Sequence, residues 1–435
     1  MLKTIFSDKL IKAGGLLFLV SMVGNVFNYA FQITMGRLFT TVEYGLMNSL
    51  LAMFMVMAVP LGTLFMVISK QTAEYKARGE FGKIRGLFRK IYKFVLIAGS
   101  VGFLLFLMIS PYIKEYINAP SVIPVIILGG AIFLLLSPPL INIAVLQGIQ
   151  DFKWMNIGMG LGGPMKFFFC VALVIAGLSV NGVMAGLVLA SITIWFITYL
   201  PLRKDMHYEK GILDIPDNIT FLNILPVLLA NLAFAVMTQA DMVLVKHLFS
   251  GHEAGIYASA SIIGKAVMYL PGAIVLAMFP MVAESNTLRQ DSSHLIIKTT
   301  IVTFLLSGSG ALLLFFFPEF IIGTFFGVKY LEAGEIVRYF GVSMLPMALL
   351  LIMMNYFIAK GKTFFQYILF IGAFLEIVFI LSFHDSLITV LYTLIGIGSL
   401  LLFVGSIILY PELRIKQAVK QDLPTEEVVG ISSGK

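Results

Sequence analysis

Twelve predominantly apolar stretches, most of them about 20 residues or longer, follow one another along the chain. They run approximately over 13–35, 46–68, 94–112, 122–148, 156–178, 183–201, 219–244, 255–283, 299–318, 335–359, 364–383 and 386–410. A hydrocarbon core about 30 Å thick takes about 20 residues of helix to cross, and a backbone inside it must close its own hydrogen bonds. The stretches are too long, and alternate too little, for outer-membrane barrel strands with about 10 residues of in/out pattern. The expected fold is all-α, a polytopic helical membrane protein of about 12 transmembrane helices. A composition of 59% apolar and 12% charged residues over 435 positions excludes a soluble globular domain.

The distribution of Lys and Arg orients the bundle. With the amino terminus inside, Arg37, Lys114, Lys246 and Lys329 fall outside and Lys166, Lys265 and Arg338 fall within spans. The rest of the 30 lie on the inner side, so both termini are expected to be cytoplasmic. The net charge of +7 thus reads as membrane topology and not as nucleic-acid binding. The first stretch follows Lys3, Lys9 and Lys12 and lacks a small-x-small cleavage pattern, so it is expected to stay as the first helix. The basic segment 69–93, interleaved with Phe81, Ile84, Leu87, Phe88 and Ile91, reads as an amphipathic helix lying on the anionic inner leaflet. One Cys and five scattered His leave no disulfide framework and no metal cluster to expect.

An offset of 210 residues brings Leu38-Phe39-Thr40-Thr41-Val42-Glu43-Tyr44-Gly45 onto Leu248-Phe249-Ser250-Gly251-His252-Glu253-Ala254-Gly255, and Ser49 onto Ser259. Gln147-Gly148 echoes Lys360-Gly361 at an offset of 213. Six helices is an even number, so the repeat is parallel. The expected organisation is a six-helix bundle over 1–210, a second over 211–410 and a cytoplasmic tail over 411–435, with a central cavity between the bundles as in transporters built from parallel repeats. Pro60, Pro138, Pro139, Pro226, Pro271, Pro280 and Pro346 lie inside spans and are expected to kink them.

Ser21, Asn25, Asn28 and Gln32 form one stripe on the first helix, and Asn231, Thr238 and Asp241 a corresponding stripe on the seventh. Such stripes either join helices or line water, and the pairing of equivalent stripes favours a water-filled cavity. Lys166, Asp241, Lys265, Arg338 and Glu376 would each cost roughly 3 kcal/mol or more facing lipid and are expected to face inward. Three cations against two acids suit an anionic substrate. The alternatives are structural salt bridges, such as Lys265 with Asp241, and for Glu376 ion coupling, pairing with Lys166, or snorkelling.

The stretch from Asp241 through Glu253-Ala254-Gly255-Ile256-Tyr257, Ser259-Ala260, Gly264 and Pro271 to Phe279-Pro280 resembles the polysaccharide biosynthesis family of lipid-linked oligosaccharide flippases. Arg37-Leu38-Phe39 with Glu43-Tyr44-Gly45 fits the same resemblance. The family includes Wzx-type O-antigen exporters and belongs to the multidrug/oligosaccharidyl-lipid/polysaccharide superfamily, which implies two six-helix bundles around a cationic cavity. By position in the spans, the resemblance carries over to Lys265, Arg37, Arg338 and Lys166 as substrate contacts.

The resulting expectation is a flippase that moves a polyprenyl-(pyro)phosphate-linked oligosaccharide from the cytoplasmic to the outer leaflet of the cell (inner or plasma) membrane by alternating access. Lys265, Arg37, Arg338, Lys166, Asn25, Asn28, Gln32, Asn231 and Thr238 are the expected substrate contacts, with Lys265 as the central charge. Asp241 and Glu376 are the expected coupling residues. No cofactor is expected; H⁺, Na⁺ or the membrane potential would drive transport. The expected partners are the lipid-linked anionic glycan, membrane lipid, and the glycan polymerase and glycosyltransferases of the same route, with the chain itself a monomer. The alternatives are an ion-coupled multidrug or cation antiporter of the sister family and, behind it, a membrane-embedded glycan polymerase or ligase. The last lacks intramembrane His and a long outer loop in which to gather catalytic groups.

Overall fold

The computed structural model describes residues 8–205, 221–288 and 291–421, and these are helical throughout with short turns between. The expected boundary at 210–211, Arg289, the tail beyond 421 and the side chain of Ser21 lie outside the described residues. The helices are α1 (Asp8–Leu38), α2 (Thr41–Ala77), α3 (Phe81–Tyr116), α4 (Ile123–Gly130 and Ser137–Gly148, joined by a π segment Ala131–Leu135), α5 (Phe152–Leu173) and α6 (Ser179–Asp205). There follow α7 (Phe221–Leu248), α8 (Gly251–Tyr269 continued by Gly272–Thr287), α9 (Ser293–Phe316), α10 (Gly334–Ala359), α11 (Phe364–Ser382) and α12 (Leu387–Gln421). Each expected span falls on one of these. Among the described residues, nine helical segments are long and apolar enough to cross a membrane. One of them, 152–203, turns back at Gly177 (φ 89°) and Ser179 (φ 46°) and so comprises two expected spans.

Two expectations need correction. The segment 69–93 is not a separate helix on the leaflet. Its first part prolongs α2 and its second opens α3, and the turn between them is Arg78–Glu80 with Gly79 at φ 74°. Ile84, Leu87, Phe88 and Ile91 are indeed one face, but it packs on Ile68, Tyr75, Val145, Met155 and Leu202. An i, i+3, i+4, i+7 stripe suits a protein groove as well as a lipid surface. The eighth span is not one helix, because Pro271 divides α8. Having no N–H, Pro271 leaves the carbonyl of Val267 without its helical donor, and Ser307 of α9 donates its hydroxyl to that oxygen at 2.9 Å. This is how a broken helix is tolerated in lipid. The connection between α9 and α10 is a short helix, Pro318–Phe326, and a 3-10 turn, Val328–Ala333.

Small residues set the helix contacts, as they do where lipid supplies no hydrophobic drive. A Cβ on Gly163 would lie 2.8 Å from the Gly24 carbonyl, so α1 and α5 meet backbone to backbone, and one on Gly186 would lie 2.7 Å from the Cys170 amide, joining α6 to α5. Gly158 and Gly160 press on Thr198 and Val20. The glycine run of α5 thus packs within the chain. In the C-terminal half Gly264 receives Phe340 and Gly372 receives Leu401.

Candidate functional site between the halves

The repeat read from the sequence is reproduced atom by atom at the end of the bundle assigned to the outside. Thr40 and Glu43 form a capping box at the start of α2, the Thr40 amide donating to Glu43 Oε2 at 3.0 Å and the Glu43 amide to Thr40 Oγ1 at 3.3 Å. Ser250 and Glu253 do the same for α8 at 3.0 and 3.2 Å. One turn further, Ser49 donates to the Leu46 carbonyl at 2.9 Å and Ser259 to the Ile256 carbonyl at 2.8 Å. The matched octet is therefore a pair of helix starts, and Ser/Thr-x-x-Glu is the sequence signal that identifies it. The later echo falls in the same place in the two halves, the turn after α4 and after α10, but not in the register read from the sequence. The turns after α4 and α10 share a left-handed residue, Gln150 (φ 60°) and Gly361 (φ 71°), which makes their structural offset 211, not 213.

These helix starts meet. Gly45 and Gly255 bring α2 and α8 into backbone contact, and a Cβ on Gly255 would lie 2.0 Å from the Thr41 carbonyl. Tyr44 packs between Phe326 and Tyr330 and donates to Gln32 Oε1 at 3.0 Å. Arg37 crosses to the other half and donates to the Phe325 and Thr324 carbonyls at 3.0 and 2.8 Å, while Lys329 donates to the Arg37 and Phe39 carbonyls at 3.1 and 2.5 Å. Thr41 bonds His252, Asn118 donates to the His247 carbonyl, and the His247 ring stacks on Tyr116. These hydrogen bonds join the two halves at this end. The protein is closed there.

Deeper in the bundle, the C-terminal half holds a buried charge cluster. Lys265 of α8 lies 3.4 Å from Asp241 of α7 and 3.5 Å from Gln239 Oε1, with the Phe340 ring beneath it. Tyr257 donates its hydroxyl to the other Asp241 oxygen at 2.9 Å. Glu376 of α11, which packs on α7, feels the charge of Asp241, is 1% exposed, and neither of its carboxylate oxygens has a hydrogen-bond partner. Lys265 is 7% exposed and its charge is met by Asp241. It is thus the salt-bridge alternative, and not the free central cation, that describes Lys265. Thr238 and Asn231 turn back to their own helix, bonding the Phe234 and Val227 carbonyls at 2.9 Å each.

The N-terminal half differs. Lys166 of α5 donates to Asn28 Oδ1 at 2.9 Å and lies 4.4 Å over the Phe31 ring. No acidic side chain among the described residues pairs with it. Asn28 and Asn25 remain exposed along the α1 face beside it. At the offset of 210, Lys166 corresponds to Glu376, Phe31 to Asp241 and Asn28 to Thr238. Equivalent positions therefore make equivalent helix contacts but carry opposite charge. Arg338 joins neither group. Its guanidinium lies 5.4 Å from the Phe315 ring of α9, with Nε buried and unpartnered, on the opposite side of α10 from Phe340. Tyr257, Gln239 and Phe340 were not foreseen as members of the cluster, because nothing local marks a residue whose partner lies on another helix.

A family of proteins described as "Polysaccharide biosynthesis protein" matches residues 34–335, well over half of the chain. The chain belongs to that family. Among solved structures, it is similar to the inward-facing conformation of a multidrug resistance MATE family transporter of the MOP superfamily, with a TM-score of 0.75 at 13% identity over 94% of this chain and 99% of that one. The outward-facing conformation of such a transporter gives 0.67 at 15%, over 93% and 96%. The lipid II flippase MurJ in an inward closed conformation gives 0.67 at 13%, over 93% and 89%. No curated protein matches the chain. These likenesses show the fold of this polysaccharide biosynthesis family member, the one that the MATE family transporters and MurJ share. The matched residues 34–335 take in both capping boxes, the glycine contact, Lys166, Asp241 and Lys265; Asn25, Asn28, Gln32, Arg338 and Glu376 lie outside them.

Proposed function

We propose that this protein is a flippase that carries a polyprenyl-(pyro)phosphate-linked oligosaccharide from the cytoplasmic to the outer leaflet of the cell membrane, with both termini cytoplasmic. Family membership supports a role in polysaccharide biosynthesis. The observation that carries the substrate class is Lys166, an intramembrane cation with an amide oxygen and an aromatic ring beside it but no carboxylate. An uncompensated ammonium at that depth is costly, and an anionic headgroup would complete it. Asn28 and Asn25 offer hydrogen bonds to the same group. Lys265, held by Asp241, keeps a structural part in this reading, and the polyprenyl tail stays in lipid while the headgroup crosses between the halves. Outward movement of the anion is favoured by an inside-negative potential, by about 2.3 kcal/mol per charge per 100 mV. Asp241 and Glu376 are the groups available to couple H⁺ or Na⁺.

The test is leaflet accessibility of a lipid-linked pyrophosphoryl glycan in proteoliposomes, comparing wild type with Lys166→Ala, Lys166→Arg and empty vesicles. Transport lost in the Ala variant and partly kept in the Arg variant is expected; full transport by Lys166→Ala would remove this residue from the substrate site. A second reading, ion-coupled multidrug antiport, is favoured by the buried carboxyl of Glu376 beside Asp241. Drug efflux abolished by Glu376→Gln, together with no glycan movement by the wild type, would establish it instead.

A further inference from the structure

The contacts of Arg37 and Lys329 are reciprocal in a way that packing alone does not require. Arg37 belongs to the N-terminal half and caps the C-terminal end of the short helix Pro318–Phe326, taking the Thr324 and Phe325 carbonyls. Lys329 belongs to the C-terminal half and caps α1, taking the carbonyls of Arg37 itself and of Phe39. The last four carbonyls of a helix have no helical donor, so each cation supplies the other half's helix with what its end lacks. Both side chains are nevertheless exposed. Glu43 interacts with Lys329, but its oxygens are held by Thr40 and Ser179. Neither cation has a carboxylate in salt-bridge contact among the described residues.

We propose that Arg37 and Lys329 form an anion-responsive outer gate. They bind backbone carbonyls across the halves while the outer end is closed, and bind the diphosphate of the departing headgroup once it opens. The inference rests on the flippase reading above and adds how the outer end is released. Opening must separate the two halves at Gly45 and Gly255 and so must take both cations off their carbonyls. A ligand shifts a conformational equilibrium only through its different affinity for the two states. A diphosphate meets that condition here, because donors engaged in the closed state are free in the open one. The bonds to the carbonyls are charged on the donor side only, whereas a phosphate adds the attraction between full opposite charges and a bidentate match to the guanidinium, which lets it displace carbonyl acceptors.

The experiment reads conformation, not transport. Spin labels at Glu115→Cys and Val328→Cys, one on each half, in a Cys170→Ala background, report the outer separation in nanodiscs. Inorganic pyrophosphate and a polyprenyl diphosphate placed in the bilayer are the two probes. With the gate intact, diphosphate is expected to raise the separated population several-fold. Arg37→Gln with Lys329→Gln is expected to show separated molecules without ligand and no further response. Opening by the polyprenyl form alone upholds the gate and assigns its trigger to the lipid-borne headgroup. No opening by either probe overturns it, as does an equal response in the double variant. The ligand response of the unsubstituted gate needs no folded double variant. A gate that opens with diphosphate in a protein that moves no glycan leaves the gate standing and removes the substrate reading. Glycan movement dependent on Lys166 with no response to either probe does the reverse.

Discussion

The contact of Gly255 with Thr41 permits a quantitative forecast, because both sides of it are backbone. An alanine Cβ at 255 would stand 2.0 Å from the Thr41 oxygen, 2.5 Å from its carbonyl carbon and 2.9 Å from its Cα. No rotamer can relieve that clash, so α2 and α8 must part by about 1 Å to reach the shortest distances that packed atoms adopt. Overpacking of this kind costs about 1–3 kcal/mol, here in the outer-closed state alone. At 1.4 kcal/mol per tenfold, Gly255→Ala shifts the equilibrium toward outer separation by about 5- to 150-fold. Gly45→Ala, whose Cβ would meet the Gly255 amide nitrogen at 2.7 Å and the Ala254 carbonyl carbon at 2.9 Å, needs a smaller displacement and should shift it less. Gly62→Ala, with nothing within 4 Å, is the control. The same spin-label pair measures all three. A Gly255→Ala protein with the wild-type distance distribution, or a larger shift in Gly45→Ala, would refute the argument that this glycine pair is what lets the halves close.

Two further outcomes follow from buried polar groups. Lys265→Ala strands Asp241 at 1% exposure, so this substitution should lower thermal stability by about 3–5 kcal/mol instead of only removing transport, whereas Lys265→Met with Asp241→Leu should recover much of that loss in a thermal-unfolding series. Ser307→Ala should cost about 1–3 kcal/mol by orphaning the Val267 carbonyl; in a Pro271→Ala background, where position 271 regains an amide, the same change should cost little, and equal costs in both backgrounds would show that Ser307 does not compensate the proline.

The spans were legible because hydropathy over about 20 residues is a one-dimensional property. The duplication was legible through Leu38–Gly45 and Leu248–Gly255, since a capping box is written in four consecutive residues. What escaped depends on a partner supplied from elsewhere in the fold. Three intramembrane cations look alike in sequence, yet Lys265 is met by Asp241 across the α7–α8 turn, Arg338 lies on Phe315, and Lys166 has Asn28. The basic stretch 81–93 has the same periodicity whether its apolar face meets lipid or Val145 and Met155. Tyr257 carries no local mark of its bond to Asp241.

The two halves have diverged in a particular place. At the outer junction the repeat is preserved in the features that end and join helices: paired capping boxes, paired serine bonds to the preceding turn, and two glycines in contact. These set where α2 and α8 begin and how closely they approach, so a change there alters both halves at once. In the middle of the membrane the same register carries Lys166 against Phe31 in one half and Glu376 against Asp241 in the other. There the scaffold does not fix the side chain, and electrostatics decides what each half can tolerate. Asp241 is met by Lys265 from α8, while the buried carboxyl of Glu376 has no hydrogen-bond partner. A lone ammonium beside an amide and a ring calls for an anion, and no described side chain supplies one. The duplication thus yields a common junction, with a Lys265–Asp241 ion pair and an unpartnered Glu376 in one half and a cation without a described carboxylate partner, Lys166, in the other.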